Sequence, residues 1–251
     1  MNHNNKPIIE GGLYMGKLKK KTAIVTGASS GIGSTIARRL AQEGAQVVLA
    51  ARRKEHLDKV AKEINQMGRG KALPIQTDVS NKSDVEHMVQ KAKATFGPID
   101  IYVNNAGLML DALVTNGKVD GWEQMIDVNI KGVLYGIHSV IPEMVESSSG
   151  HIINIASVSG FEVTKISTVY SATKFAVRAL SMGMEKELAR TGVRVTNISP
   201  GMVNTDLTTR VTDGKSQRRK PLQAEDIAEA VVYAVTQPDY VNVNEITVRP
   251  L

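Results

Sequence analysis

From Lys21 onward the chain alternates short β-branched runs with longer amphipathic patterns, and this alternation limits the fold more than any other feature. Thr22–Thr26 reads TAIVT and stops at a glycine cluster. Residues 32–43 then place Ile32, Ile36, Ala37, Leu40 and Ala41 at helical spacing, with Gly44 positioned to end the helix. The same unit recurs: a strand over residues 47–50, a helix over Lys54–Met67 closed by Gly68, and a strand over residues 73–76. Ser80 is the expected cap of the next helix, whose buried stripe is Val85, Met88 and Val89. Further strands are expected over residues 99–103, 151–155, 193–198 and Glu245–Val248. Between them lie helical patterns over 122–145 (one helix or two), 169–190 and Ala224–Val235. Strand and helix repeated this often predict an α/β fold: a seven-stranded, mostly parallel sheet, doubly wound with helices on both faces. The mostly apolar strands agree, since both faces of such a sheet are covered. No linker interrupts the pattern, so one domain is expected over residues 18–251, preceded by a flexible leader over 1–17.

In an open parallel sheet, ligands lie at the carboxyl ends of the strands, near the point where strand order reverses. The first strand ends in TGASSGIG, residues 26–33. Gly27, Gly31 and Gly33 allow a sharp turn and close approach of a pyrophosphate, which the next helix meets with free N–H groups and its positive end. The spacing Gly-x-x-x-Gly-x-Gly differs from the Gly-x-Gly-x-x-Gly type of dinucleotide turn, and on its own it is a weak signal, with a plain tight turn as the lesser alternative. About 20 residues downstream, an NAD site would place an acid against the ribose 2′-hydroxyl. Here Ala50-Ala51-Arg52-Arg53 stands instead. A guanidinium grips a 2′-phosphate that a carboxylate would repel, so NADP(H) is expected over NAD(H). Arg52 is the first choice for the phosphate, with Arg53 or Ser29 assisting.

Tyr170 and Lys174 stand four apart, on one helical face, and Ser157 precedes Tyr170 by 13 residues. An unperturbed phenol titrates near 10, too high for proton exchange at neutral pH. An ammonium ~4 Å away, at an effective dielectric of ~20, favours phenolate by about 4 kcal/mol, or about three pKa units. On that reckoning Tyr170 titrates near 7 and acts as general acid or base, with Ser157 holding the substrate oxygen.

These motifs together resemble the short-chain dehydrogenase/reductase family, in its ~250-residue, NADP-preferring branch with a Rossmann-type fold. The resemblance runs over nearly the whole chain, residues 18–251. It rests on TGASSGIG, Asp78-Val79, the NNAG of residues 104–107, Asn129, Ser157, the YSATK of 170–174 and the SPGMVNT of 199–205. It implies catalytic roles for Asn129, Ser157, Tyr170 and Lys174: Tyr170 as the acid/base, Lys174 lowering its pKa and binding the nicotinamide ribose, Ser157 polarising the carbonyl and Asn129 holding a relay water. The implied cofactor contacts are Gly27, Ser29, Ser30, Gly31, Ile32, Gly33, Arg52, Arg53, Asp78, Val79, Asn105, Ala106, Gly107, Tyr170, Lys174, Pro200, Gly201, Val203 and Thr205. Asp78 and Val79 would meet the adenine, and Thr205 the carboxamide. Residues 202–222 would close over the substrate, with Ser157, Met109, Leu110, Phe161, Val163 and Met202 as pocket residues. Lys165 and Arg210 are weighed as partners for a substrate carboxylate, against the reading that they are solvated loop charges. The expected reaction transfers a hydride between the nicotinamide and a carbonyl or secondary alcohol carbon of a small aldehyde, ketone or hydroxy-acid-type substrate. The alternative is a non-catalytic NADP-binding regulator on the same fold.

Composition removes other classes. The chain has no cysteine, which excludes disulfides, thiolate catalysis and Cys-held metals. The formal net charge of +6 favours anionic partners, but aromatics at 4% leave few platforms for stacking bases, so nucleic acid is not expected. His3, His56, His87, His138 and His151 lack metal-ligand spacing, and no metal is expected. No apolar run reaches the ~20 residues that span a bilayer, and the amino-terminal stretch lacks signal-peptide character. A cytoplasmic protein without a membrane partner is expected, with a homotetramer (or dimer) as the family's implication.

Overall fold

The computed structural model describes residues 16–205 and 220–251. The expected leader therefore lies outside the described residues, apart from Gly16 and Lys17; so do Arg210 and most of the expected lid. Along the chain run β1 (Thr22–Thr26), α1 (Gly31–Gln42), β2 (Gln46–Ala51), α2 (Lys54–Met67), β3 (Lys71–Gln76) and α3 (Lys82–Phe96). They are followed by β4 (Ile101–Asn104), α4 (Val119–Ile126), α5 (Gly132–Glu146), β5 (Gly150–Ile155) and α6 (Thr168–Glu187). The last elements are β6 (Val193–Pro200), α7 (Ala224–Val235) and β7 (Glu245–Val248). The strands form one seven-stranded sheet in the order β3-β2-β1-β4-β5-β6-β7. Every neighbouring pair is parallel.

The two-residue period of the strands divides the core. Along β1, Ala23 and Val25 face one layer while Ile24 faces the other; β2 does the same with Val47 and Leu49 against Val48 and Ala50. The first layer is completed by Ile36 and Leu40 of α1, Leu57 and Ile64 of α2, and Ile227 and Val231 of α7. The second is completed by Val85 and Met88 of α3, Val140 and Met144 of α5, and Met184 of α6. This is why β1 is buried at all five positions, with three consecutive apolar residues, Ala23, Ile24 and Val25, between two buried threonines.

Some boundaries differ from the sequence expectation. Asn81, not Ser80, caps α3: its Oδ1 accepts from Ser83 N–H at 3.0 Å and Asp84 N–H at 3.3 Å. The Ser80 hydroxyl instead donates to Asp78 Oδ1 at 2.7 Å. β3 starts at Lys71 and contains Pro74, which a strand tolerates at the outer edge of a sheet where no partner needs its missing N–H. The expected helix or helices over 122–145 are two, α4 and α5, joined by a π-helical turn over Asp127–Lys131.

Strand order reverses between β1 and β4, so the crevice for a ligand opens where these two strands end.

Candidate active site

At the reversal point the backbone is bare. Gly27 and Gly31 hold φ of 66° and 54°, the left-handed region that glycine adopts without strain. A Cβ on Gly33 would stand 2.4 Å from both the Gly27 carbonyl oxygen and Asn105 Nδ2. One on Gly27 would stand 2.9 Å from Ala106 Cα. The turn is a cradle that any side chain would fill, ending at the first N–H groups of α1, and it fits a pyrophosphate. The two loops are tied together. Thr26 Oγ1 accepts from the N–H groups of Asn105 and Ala106 at 3.0 and 3.1 Å, and Asn105 Nδ2 donates to the Thr26 carbonyl at 2.8 Å. The Asn105 side chain thus braces the cradle. Thr205 lies over the same turn, its Cγ2 3.4 Å from where a Gly31 Cβ would be. Gly201 N–H donates to the Val248 carbonyl at 2.7 Å, and buried Val203 bridges to Leu222, so the segment after β6 is anchored on both sides.

At the end of β2 the two arginines part. Arg53 Nη2 donates to Ser29 Oγ at 3.0 Å and Ser30 Oγ at 2.8 Å, reaching the cradle itself. Arg52 lines an open cavity of about 710 Å³ with Gln76, Asp78, Ser83, Asp84 and His87. The sequence places no acid at the end of β2, but the fold brings Asp78 and Asp84 to the same cavity from the β3–α3 connection. Val79 is turned inward, 8% exposed, its Cγ2 within 3.0 Å of the Cβ position on Gly132.

The reacting end is built on β5, α6 and the π turn. Asn129 sits in that turn, an irregularity frequent at functional sites. Its Nδ2 donates to the Leu108 carbonyl at 2.8 Å and to Thr173 Oγ1 at 3.0 Å, while Oδ1 accepts from Leu108 N–H at 2.8 Å. Both amide donors are taken, and only Oδ1 keeps a free lone pair. That oxygen and Lys174 Nζ face one space, each 3.7 Å from the Cβ position on Gly107. Lys174 Nζ donates to the carbonyl of Ile155, the last residue of β5, at 2.9 Å. It stands 5.7 Å from the centre of the Tyr170 ring. Ser157 Oγ accepts from Ser159 N–H at 3.1 Å. The turn it opens presses on α6, for a Cβ on Gly160 would lie 2.9 Å from the Lys174 carbonyl.

The electrostatics correct one expectation. Tyr170 does not titrate near 7 in the free protein. Burial pushes its phenol up to about 12; the hydrogen bond with Ser157 pulls it down and the Asp111 carboxylate pushes it further up. Burial also lowers Lys174 to about 8. An ammonium nearby favours phenolate, but the loss of water around both groups dominates here.

On the outer side, Phe161, Val163 and Met202 are exposed and Met109 is half-buried. The Phe161 ring lies under the Arg178 guanidinium at 4.0 Å, and Arg178 is held by Glu245. Lys165 is exposed. Sequence reasoning missed Asp111, whose two carboxylate oxygens are closed to solvent without a hydrogen-bond partner. The signal was an acid inside the otherwise apolar run Leu108-Met109-Leu110-Asp111-Ala112-Leu113-Val114. Among the described residues no group of three or more His, Cys, Asp or Glu is placed to hold a metal, and no helix is long and apolar enough to cross a membrane.

A cradle, a braced crevice and a buried Tyr–Lys pair at the end of a parallel sheet define a dinucleotide-dependent oxidoreductase site. The family model for short chain dehydrogenases matches residues 21–216, and the chain belongs to that family. An uncharacterized oxidoreductase of Staphylococcus aureus (strain MW2) is 56% identical over 234 residues, 93% of this chain and 99% of the relative. Among solved structures, the closed form of a serine dehydrogenase complexed with NADP+ is 38% identical, with a TM-score of 0.83 over 90% of this chain and 94% of that one. An alcohol dehydrogenase of the archaeon Thermococcus sibiricus, complexed with 5-hydroxy-NADP, is 31% identical, with a TM-score of 0.83 over 91% and 95%.

Proposed function

We infer that the protein is an NADP-dependent oxidoreductase acting on a carbonyl or secondary alcohol carbon of a small aldehyde, ketone or hydroxy-acid-type substrate. The observation that carries this reading is the buried Tyr170 phenol with the Lys174 ammonium 5.7 Å from its ring, beside the bare glycine turn. When bound, the nicotinamide supplies or accepts a hydride at its C4. The chain's own groups manage the proton. Tyr170 Oη gives it to the substrate oxygen during reduction and takes it back during oxidation. Ser157 Oγ donates to that same oxygen and so holds the carbonyl in place. Lys174 binds the nicotinamide ribose and favours phenolate. Asn129 Oδ1, its one free acceptor site, holds a water that connects Lys174 to solvent.

Gly27, Ser29, Ser30, Gly31, Ile32 and Gly33 receive the pyrophosphate; Arg52 and Arg53 take the 2′-phosphate, and their charge favours NADP(H) over NAD(H). Asp78 and Val79 lie toward the adenine, and Asn105, Ala106, Gly107, Pro200, Gly201, Val203 and Thr205 toward the nicotinamide half. Met109, Phe161, Val163 and Met202 wall the substrate. We place the enzyme in the cytoplasm as a homotetramer, with exposed Leu134 on α5 and Phe175 and Met182 on α6 covered by a second copy.

The test is Tyr170→Phe, assayed by NADPH absorbance against small aldehydes, keto acids and cyclic ketones. Turnover is expected to disappear while NADPH still binds. Retained turnover would remove Tyr170 from the chemistry. Tight NADPH binding with no turnover by the unaltered enzyme would favour the regulator.

A further inference from the structure

The open cavity of about 710 Å³ at the end of β2 has a second nitrogen donor besides Arg52. Its lining brings together Arg52, Gln76 of β3, Asp78 of the β3–α3 connection, and Ser83, Asp84 and His87 of α3. Ser83, Asp84 and His87 keep the three- and four-residue spacing of one helical face, so α3 turns that face to the cavity. Most of these groups are already engaged. Gln76 Nε2 donates to the Arg52 carbonyl at 3.1 Å, and Ser83 Oγ donates to Asn81 Oδ1 at 2.7 Å. Asp78 Oδ1 accepts from Ser80 N–H and Oγ at 3.0 and 2.7 Å, and Asp84 Oδ2 accepts from Asp78 N–H at 3.1 Å. The Arg52 guanidinium and the His87 ring differ: both are exposed, and neither has a hydrogen-bond or ion-pair partner among the described residues. Two free donors thus line one open space. Arg52 alone does not offset the carboxylates of Asp78 and Asp84, whereas a protonated imidazole beside it does.

We propose that His87 is a second donor to the 2′-phosphate of the cofactor, on the same cavity as Arg52, so that the preference for NADP(H) over NAD(H) strengthens as histidine takes up its proton. This rests on the NADP reading above, which brings the 2′-phosphate to Arg52. A phosphate monoester offers three acceptor oxygens and close to two negative charges at neutral pH, more than one guanidinium satisfies. Histidine is the side chain that changes charge between pH 5 and 8. The charged groups around His87 are Arg52, Asp78 and Asp84 in the cavity, and Glu86 and Lys91 on its own helix. Glu86 is held by Lys82 at 3.5 Å and lies 3.9 Å from His138 Nε2 of α5. The last proton of the phosphate, taken up at about pH 6, acts in the opposite sense, because acid then removes charge from the ligand. The two effects separate cleanly, since only one of them disappears with the His87 ring.

The experiment is calorimetric titration with NADP+ and with NAD+, near pH 6 and near pH 8, which reads binding without turnover. The quantity compared is the ratio of the two dissociation constants. His87→Gln keeps an N–H donor and never carries a charge. It is expected to lower the preference for NADP+ by about 10-fold near pH 6 and by no more than about 2-fold near pH 8, with little change for NAD+. His87→Lys, charged at both pH values, keeps the wild-type preference near pH 6 and exceeds it near pH 8. If Arg52→Ala lowers the ratio but His87→Gln leaves it unchanged, or lowers it equally at both pH values, this proposal fails and the NADP reading stands. An equal loss in His87→Lys and His87→Gln would mark a role in packing and overturn it as well. If neither Arg52→Ala nor His87→Gln moves the ratio, the 2′-phosphate lies elsewhere and both fall.

Discussion

Replacing Lys174 by methionine removes one charge from a buried site and little volume. Its ammonium lies 5.7 Å from the Tyr170 ring centre, and a phenolate spreads its charge into that ring. At an effective dielectric of ~20, opposite charges at this separation attract by about 3 kcal/mol, equivalent to about two pKa units. The sign follows directly: the ammonium favours the anion, so its loss moves the phenol upward. The free phenol is already pushed up to about 12, chiefly by burial, so the variant starts from a group that is harder still to ionise. The assay is the pH profile of kcat/KM for alcohol oxidation at saturating NADP+, where Tyr170 must be deprotonated to act as base. We expect the apparent pKa of the rising limb to increase by about two units in Lys174→Met, and the rate at neutral pH to fall by about 100-fold. A weaker ribose contact would appear separately, as a higher KM for NADP+. If the rate falls while the limb stays in place, Lys174 anchors the cofactor and does not tune the phenol, and the electrostatic reasoning is wrong.

Two further outcomes test other parts of the molecule. Arg52→Ala and Arg53→Ala should each weaken NADPH binding by about 10–100-fold, the worth of charge-assisted hydrogen bonds, with much smaller losses for NADH in fluorescence titrations; equal losses would show the 2′-phosphate to be elsewhere. His151, buried with its Nε2 2.8 Å from Thr196 Oγ1, is lowered to about 3 by burial and then by the charge of Arg194. Its unfolded form takes up a proton near 6.5 while the native ring stays neutral, so its contribution to stability is complete above that pH and is lost on acidification toward 3, by about 2 kcal/mol between pH 6.5 and 5. Urea unfolding should show this loss in the wild type and not in His151→Gln; parallel losses in both would assign it to other groups.

What the sequence made legible depended on local rules. β1, α2, α7 and β7 have the bounds expected from their residues, because β-branched runs, helical spacing and closing glycines act within one element. The cradle was legible for the same reason, since a turn that tolerates no side chain must be written in glycine. Tyr170 and Lys174 were legible because four residues bring them to one face of a helix. What escaped was set by contacts between elements. Asp78 and Asp84 reach the Arg52 cavity from the β3–α3 connection, and Arg53 turns to Ser29 and Ser30. Neither direction is encoded in the Ala-Ala-Arg-Arg run itself. The π turn at Asn129 arises where α4 passes into α5, and a periodicity of 3.6 does not announce it. Burial of Tyr170 was the costliest omission, because it reversed the sign of the expected shift.

That reversal changes how the site must work. Burial and, to a smaller extent, the Asp111 carboxylate push the phenol up while the hydrogen bond with Ser157 pulls it down, so the resting group is a neutral acid. A neutral phenol is ready to give a proton to a substrate oxygen but poorly prepared to take one. Oxidation therefore requires that positive charge arrive with the ligands. Lys174 supplies part of it, yet its ammonium is weakened by the same burial, to about 8, and one of its three donors is engaged by the Ile155 carbonyl. The acidity of Tyr170 then becomes a property of the ligated complex, and a Tyr–Lys spacing read from sequence defines its direction only when the surrounding desolvation is counted.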